Sequence, residues 1–233
     1  IVAAAGHFDP AHLRDLVGRA FADLPTRTPA AVTTAPTVSR GLSLRRKDIE
    51  QAHVCLGTGA LPMAHDDRHV AYVLNTILGG SMSSRLFQHI REERGLAYAV
   101  FSNLTSYSDA GMLTVYAGCA TDKVGDVVDL TLEELRVLRD TSVGADELRR
   151  AKDHLKGSLM LSLESTSSRM SHLARQELYF AERVSMDETL TRIERVTAED
   201  VQRVAAAMIR DEQLSATIVG PDEVPMDAGR LQL

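Results

Sequence analysis

Apolar residues recur at helical spacing in some stretches of the chain and alternate with polar ones in others. Val70, Val73, Leu74, Ile77 and Leu78 form an unbroken apolar stripe, which predicts a core-facing helix. Gly79-Gly80 ends it, and a second helix is predicted from about Met82 to Arg94, with Met82, Leu86, Phe87 and Ile90 facing inward. Gly95 follows as the natural left-handed cap, since glycine adopts that conformation without steric cost. Strand patterns precede this pair (GLSLRRKD from Gly41, AHVCLGTGAL from Ala52) and follow it (Tyr98–Ser106 and Met112–Ala120), the latter two joined by a Ser108–Gly111 turn.

The later part of the chain reads as helical. Val124, Val127, Val128, Thr131, Leu135 and Leu138 mark one helix. Asp146 to Phe180 reads as one long helix or two broken near Ser165. Met186–Arg195 and Ala198–Arg210 read as two more, and SATIVG as a last strand. Thr197 is the expected N-cap of the last helix, with Asp200 completing only an approximate capping box. At the other end, IVAAAG predicts a strand, Asp9 caps a helix over Ala11–Asp23, and Leu13, Leu16, Val17, Ala20 and Phe21 predict its core-facing stripe. A chain that opens in mid-strand reads as a piece of a longer protein. Residues 26–40 are rich in Thr, Pro and Ala and read as a linker. The predicted fold class is α+β, a mostly antiparallel sheet covered by helices in a half-clamshell αβ roll. Its organisation is a strand-helix piece of a preceding domain (1–25), a linker (26–40) and a C-terminal domain (41–233).

Composition narrows the function. The net charge is −6, with 26 Lys+Arg against 32 Asp+Glu, which argues against a nucleic-acid surface. No apolar run reaches the ~20 residues of a membrane span, so no membrane partner is expected. Cys55 and Cys119 each sit in an apolar, strand-like run, which suggests small buried hydrophobes in a reducing compartment. His65-Asp66-Asp67-Arg68-His69 has two histidines at zinc spacing, but Arg68 stands where a general-base Glu belongs. Both histidines also lie off the apolar stripe, on the expected solvent side. His7, His12, His53, His89, His154 and His172 form no cluster with the three or four ligands zinc requires. No G-x-S-x-G elbow and no P-loop is present. Arg91 and Tyr98 remain. They flank the Gly95 turn and are both hydrogen-bond donors, suited to a peptide carbonyl or the oxyanion formed from it. Spacing alone favours the plainer reading, a surface ion pair for Arg91 and a sheet-edge phenol for Tyr98.

The stretch LGGSMSSRLFQHIREERGLAYAV closely resembles the C-terminal half of insulinase/pitrilysin-type zinc peptidases, nearest to the bacterial branch that is similar to mitochondrial processing peptidases. ELRRAKDHLKGSLMLSLESTSSRMSHLARQELYF and ERVTAEDVQRVAAAMI extend the resemblance, and IVAAAG with the helix ending FADLP resembles the last βα piece of the preceding domain. The resemblance implies a zinc endopeptidase of two homologous halves acting on peptide or unfolded protein. An H-x-x-E-H motif on the other half would hold the zinc. This chain lacks that motif, so it is expected to bind no zinc and to be inactive alone. The family's Arg and Tyr fall on Arg91 and Tyr98, as catalytic and substrate-binding residues. Gly79 and Gly80 stand where some relatives carry a longer substrate-linked glycine loop. The implied partner is a zinc-binding half, fused or separate, in a possible homo- or heterodimer, with a cytoplasmic, bacterial location. The alternative is an inactive scaffold subunit of the same fold.

Overall fold

The computed structural model describes residues 1–25, 34–180, 184–221, 224 and 226–233. Contacts group the chain into two units: Ile1–Ala35 with Met160–Arg183, and Pro36–Leu159 with Val184–Leu233. The predicted linker falls largely on 26–33, outside the described residues, and 34–40 carry neither helix nor strand.

The larger unit is a five-stranded sheet with helices on one face. The strands are β1 (Gly41–Arg46), β2 (Ala52–Ala60), β3 (Ala97–Ser106), β4 (Gly111–Cys119) and β5 (Ser215–Gly220). Their order is β1-β5-β2-β4-β3; only β1 and β5 run parallel, so the sheet is mostly antiparallel, as predicted. Alternation decides which face is covered. Val54, Leu56, Leu113, Val115, Ala117, Ala216 and Ile218 point into the core, while their neighbours His53, Cys55, Thr114 and Tyr116 are half-buried on the other side.

Two helices on the inner face bury the stripes the sequence predicts. Helix α2 (Arg68–Leu78) buries Val70, Val73, Leu74, Ile77 and Leu78, and α3 (Val124–Asp140) buries Val124, Val127, Val128, Thr131, Leu135 and Leu138. Helix α4 (Ala145–Ser162) follows, then α5 (Thr166–Tyr179), which begins at the Ser165 cap where the break is predicted. Helix α6 (Met186–Glu194) precedes α7 (Ala198–Met208). The α7 capping box is complete. Thr197 Oγ accepts from Asp200 N (3.2 Å) and an Asp200 carboxylate oxygen accepts from Thr197 N (3.1 Å), so aspartate suffices where the sequence allows only an approximation. A second tie joins sheet to helix, where buried Thr58 donates to Met208 O at 2.7 Å.

The N-terminal stretch departs from expectation. IVAAAG is irregular, because no described strand offers it a ladder. Helix α1 is Pro10–Ala20, with the Asp9 carboxylate accepting from Ala11 N (2.8 Å) and His12 N (3.1 Å) as predicted. Its apolar stripe does not reach a core, however: none of its residues is buried, and Leu16 and Phe21 are exposed.

Candidate functional site

The segment between α2 and β3 is built around a joint at Gly79-Gly80. Both glycine N–H groups donate to Asn75 O (3.0 and 2.9 Å), closing the end of α2. Gly79 O then accepts from Ser102 N of edge strand β3 at 3.1 Å. A Cβ on Gly79 would lie 2.4 Å from Ser102 N, and one on Gly80 would lie 2.9 Å from Thr76 Cα, so only glycine lets the helix end meet the strand this closely. Ser102 Oγ, 2.8 Å from Asn75 Oδ1, completes the joint.

The second predicted helix is shorter than expected and of a different kind. After a turn in which Ser84 Oγ donates to Ser81 O (2.5 Å), Phe87–Glu92 form a π-helix, with Glu93 N donating to Gln88 O at 2.9 Å across five residues. Leu86 and Ile90 are fully buried, as predicted, and Phe87 is half-buried. Met82, predicted inward, is 78 % exposed, because the helix starts after it and leaves it on the preceding turn. Two side chains clamp the π-helix from outside. Arg85 makes a bidentate pair with Glu147 of α4 (2.8 Å twice), and His89 Nδ1 contacts Glu134 of α3. The Glu147 carboxylate holds the Arg85 guanidinium above its ordinary pKa.

Arg91 projects from this π-helix, its guanidinium carbon 4.7 Å from the centre of the Phe87 ring and its Nε 3.8 Å from Glu92. The ring contact orients the guanidinium; the exposed ion pair adds little. Gly95 then turns the chain at φ +61°, with Gly95 N donating to Arg91 O (3.1 Å) and Leu96 N to Ile90 O (2.9 Å). Beyond the turn, the β3–β4 register steps from Ala97↔Cys119 to Ala99↔Gly118, making Tyr98 the extra residue of a β-bulge. Tyr98 is 78 % exposed as a result. Arg91 and Tyr98 thus stand on either side of one turn, each on a backbone irregularity of the kind that clusters at functional sites. No hydrogen bond joins them among the described residues.

The other polar candidates resolve into structural roles. Asp67 takes two hydrogen bonds from Arg203 of α7 (2.8 Å each), which hold its carboxyl below the usual range, and His65 Nδ1 accepts from Asp67 N at 3.0 Å. His69 is a correction. It is 7 % exposed rather than on the solvent side, because residues of α6 and the α6–α7 turn (Arg192, Arg195, Val196) cover that flank of α2, a contact no local pattern reveals. Burial, helped by Arg68 and Arg192, pushes its pKa down to about 4. The unfolded chain therefore takes up a proton near pH 6.5 that the folded chain refuses until about 4. Stability is expected to fall as pH drops through that window, and His69→Gln to shallow the fall in thermal denaturation; identical slopes would refute this assignment. Cys119 is buried and its thiol is pushed up to about 11, and Cys55 is also raised by burial, so both stay protonated and inert. Among the described residues no group of three or more His, Cys, Asp or Glu is placed to hold a metal.

A family model described as the peptidase M16 inactive domain matches residues 1–155. The chain belongs to the peptidase M16 family. An uncharacterized zinc protease of Bacillus subtilis is 36% identical over 225 residues, covering 97% of this chain and 55% of the relative. One from Streptomyces coelicolor is 39% identical over 229 residues, covering 95% and 50%. The chain thus spans about half the length of the curated relatives it matches. Among solved structures, a peptidase M16 inactive domain from Pseudomonas fluorescens superposes with a TM-score of 0.79 at 20% identity, covering 94% of this chain and 53% of that one. A chain in complex III2 from Candida albicans gives 0.80 at 21%, covering 97% and 56%. The sheet covered by helices is therefore the fold of the M16 inactive domain. Among the described residues of this M16 chain, no helix is long and apolar enough to cross a membrane.

Proposed function

We propose that this M16 chain is the substrate-gripping C-terminal half of a bacterial, cytoplasmic zinc endopeptidase that acts on peptides or unfolded protein. The observation that carries the reading is the pair of donors, Arg91 on a π-helix and Tyr98 on a β-bulge, flanking the Gly95 turn. The zinc and its ligands belong to the other half, fused upstream or supplied by a partner chain in a homo- or heterodimer. Residues 1–25 are the closing piece of that preceding domain, 26–40 the linker and 41–233 the gripping domain. The exposed stripe of α1 supports this, since an amphipathic helix needs an apolar partner.

The residues here bind and orient. Arg91, with up to five N–H donors in a fixed fork, holds a backbone carbonyl and fixes the peptide's register. Tyr98 O–H donates to the scissile carbonyl and donates more strongly to the oxyanion that develops from it. Gly79 and Gly80 act on substrate through position, by setting β3 against α2. The test is to join the chain to its upstream half and assay cleavage of an unfolded protein alongside zinc content. The joined protein is expected to hold about one zinc per pair of halves and to cleave, and the single chain to do neither. A joined protein that leaves every substrate intact overturns the reading in favour of an inactive scaffold of the same fold.

A further inference from the structure

On the sheet face not covered by helices, three rings form a row across β2, β4 and β3. Phe101 and Tyr116 face each other in the β3–β4 register, with ring centres 5.1 Å apart at 34°. The His53 ring lies 5.9 Å from the Tyr116 ring at 31°, and its Nδ1 is 2.7 Å from Tyr116 Oη. Gly118, the β4 partner of His53, leaves room for this contact: a Cβ there would come within 3.3 Å of Tyr116 Oη and 3.5 Å of Gln51 Oε1. Nothing in the gripping role of Arg91 and Tyr98 uses these residues.

We infer that Phe101, Tyr116 and His53 form a subsite for one aromatic side chain of the peptide that Arg91 and Tyr98 grip, an inference that rests on the function proposed above. Three observations select that occupant. Phe101 is 48 % exposed, so the row ends in an open ring edge rather than in packed protein. The ring spacings lie in the range aromatic pairs prefer, so a further ring extends the same stack. His53 Nδ1 and the Tyr116 phenol are paired with each other, so what the row offers at its open end is the Phe101 ring, which favours an aromatic occupant.

Position follows from strand geometry. Tyr98 and Phe101 lie three residues apart on β3, roughly 10 Å at about 3.3 Å per residue. An extended peptide has the same rise, so the side chain that reaches Phe101 belongs to the third residue from the bond held at Tyr98.

The test uses the complete two-half enzyme and peptides identical except at the third residue from the scissile bond, on each side in turn. That residue is Phe, Tyr, Leu, Lys, Asp or Ala. On one side, the aromatic peptides are expected to exceed the Ala peptide in kcat/KM by roughly three- to tenfold, as an added aromatic pair supplies. Phe101→Ala, and Tyr116→Ala, which removes the adjoining ring, are expected to bring that ratio close to one. A flat profile in the unmodified enzyme, or a preference both variants retain, overturns the subsite. A peptide carrying benzoylphenylalanine at the same position adds a readout independent of cleavage. Photocrosslinks mapped to β3 and β4 around Phe101 and Tyr116 support the subsite, and crosslinks confined elsewhere overturn it. If no peptide is cleaved but the crosslinks map to β3 and β4, the hydrolytic reading falls while the subsite stands.

Discussion

Tyr98→Phe, made in the complete enzyme, is expected to lower kcat by on the order of 10²–10³ while leaving KM nearly unchanged. The substitution removes one oxygen and keeps the ring. The bulge that projects Tyr98 is a property of the β3–β4 register, so the backbone stays as it is. Because the residue is 78 % exposed, the change leaves no buried group unpaired and folding should not respond. The loss therefore falls on an interaction that is strongest when the carbonyl oxygen carries charge, the signature of transition-state stabilisation. Steady-state kinetics with matched thermal denaturation separates the outcomes. An unchanged kcat removes the phenol from the chemistry, and a raised KM at constant kcat makes it a simple binding contact.

The second large effect is structural. Gly79→Ala is expected to destabilise the larger unit by about 3 kcal/mol, combining overpacking with a strained or lost hydrogen bond. For a unit of this size that lowers Tm by roughly 6–12 °C. The Cβ would meet the Ser102 backbone nitrogen at 2.4 Å, and backbone in a sheet cannot step aside as a flexible side-chain tip does. Relief requires β3 to move from the end of α2, which also shifts the strand carrying Tyr98. Gly157→Ala is the control. It lies within α4, its Cβ would meet nothing within 4 Å, and it should be neutral or stabilising by up to about 1 kcal/mol. Equal Tm values for the two variants would show that the joint tolerates a side chain.

Local pattern made much of this protein legible. The stripes of α2 and α3, the Ser165 and Thr197 caps, the Gly95 turn and the five strands all follow from rules that span a few residues. The candidate pair was legible only as two donors seven residues apart. What the sequence did not reveal was the π-helix under Arg91 and the extra residue at Tyr98, and both come from how the segment is seated. Leu86 and Ile90 lock one side of the helix into the core while Arg85 and His89 are held by Glu147 and Glu134, residues distant in sequence. His69 was misplaced because its exposure is set by neighbours that arrive from elsewhere in the chain, and Met82 because the helix begins only after it.

The sequence by itself determined most of the elements, the Ser165 and Thr197 caps and the α+β class, because hydrophobic period and turn chemistry act through near neighbours; the family followed separately, from the resemblance carried by LGGSMSSRLFQHIREERGLAYAV. Only the tertiary structure decided the order β1-β5-β2-β4-β3, the bulge at Tyr98 and the alignment of His53, Tyr116 and Phe101. The ring row joins residues 15 (Phe101 and Tyr116) and 63 (His53 and Tyr116) positions apart, and the β1–β5 register joins residues 174 apart, separations that no window of local sequence spans.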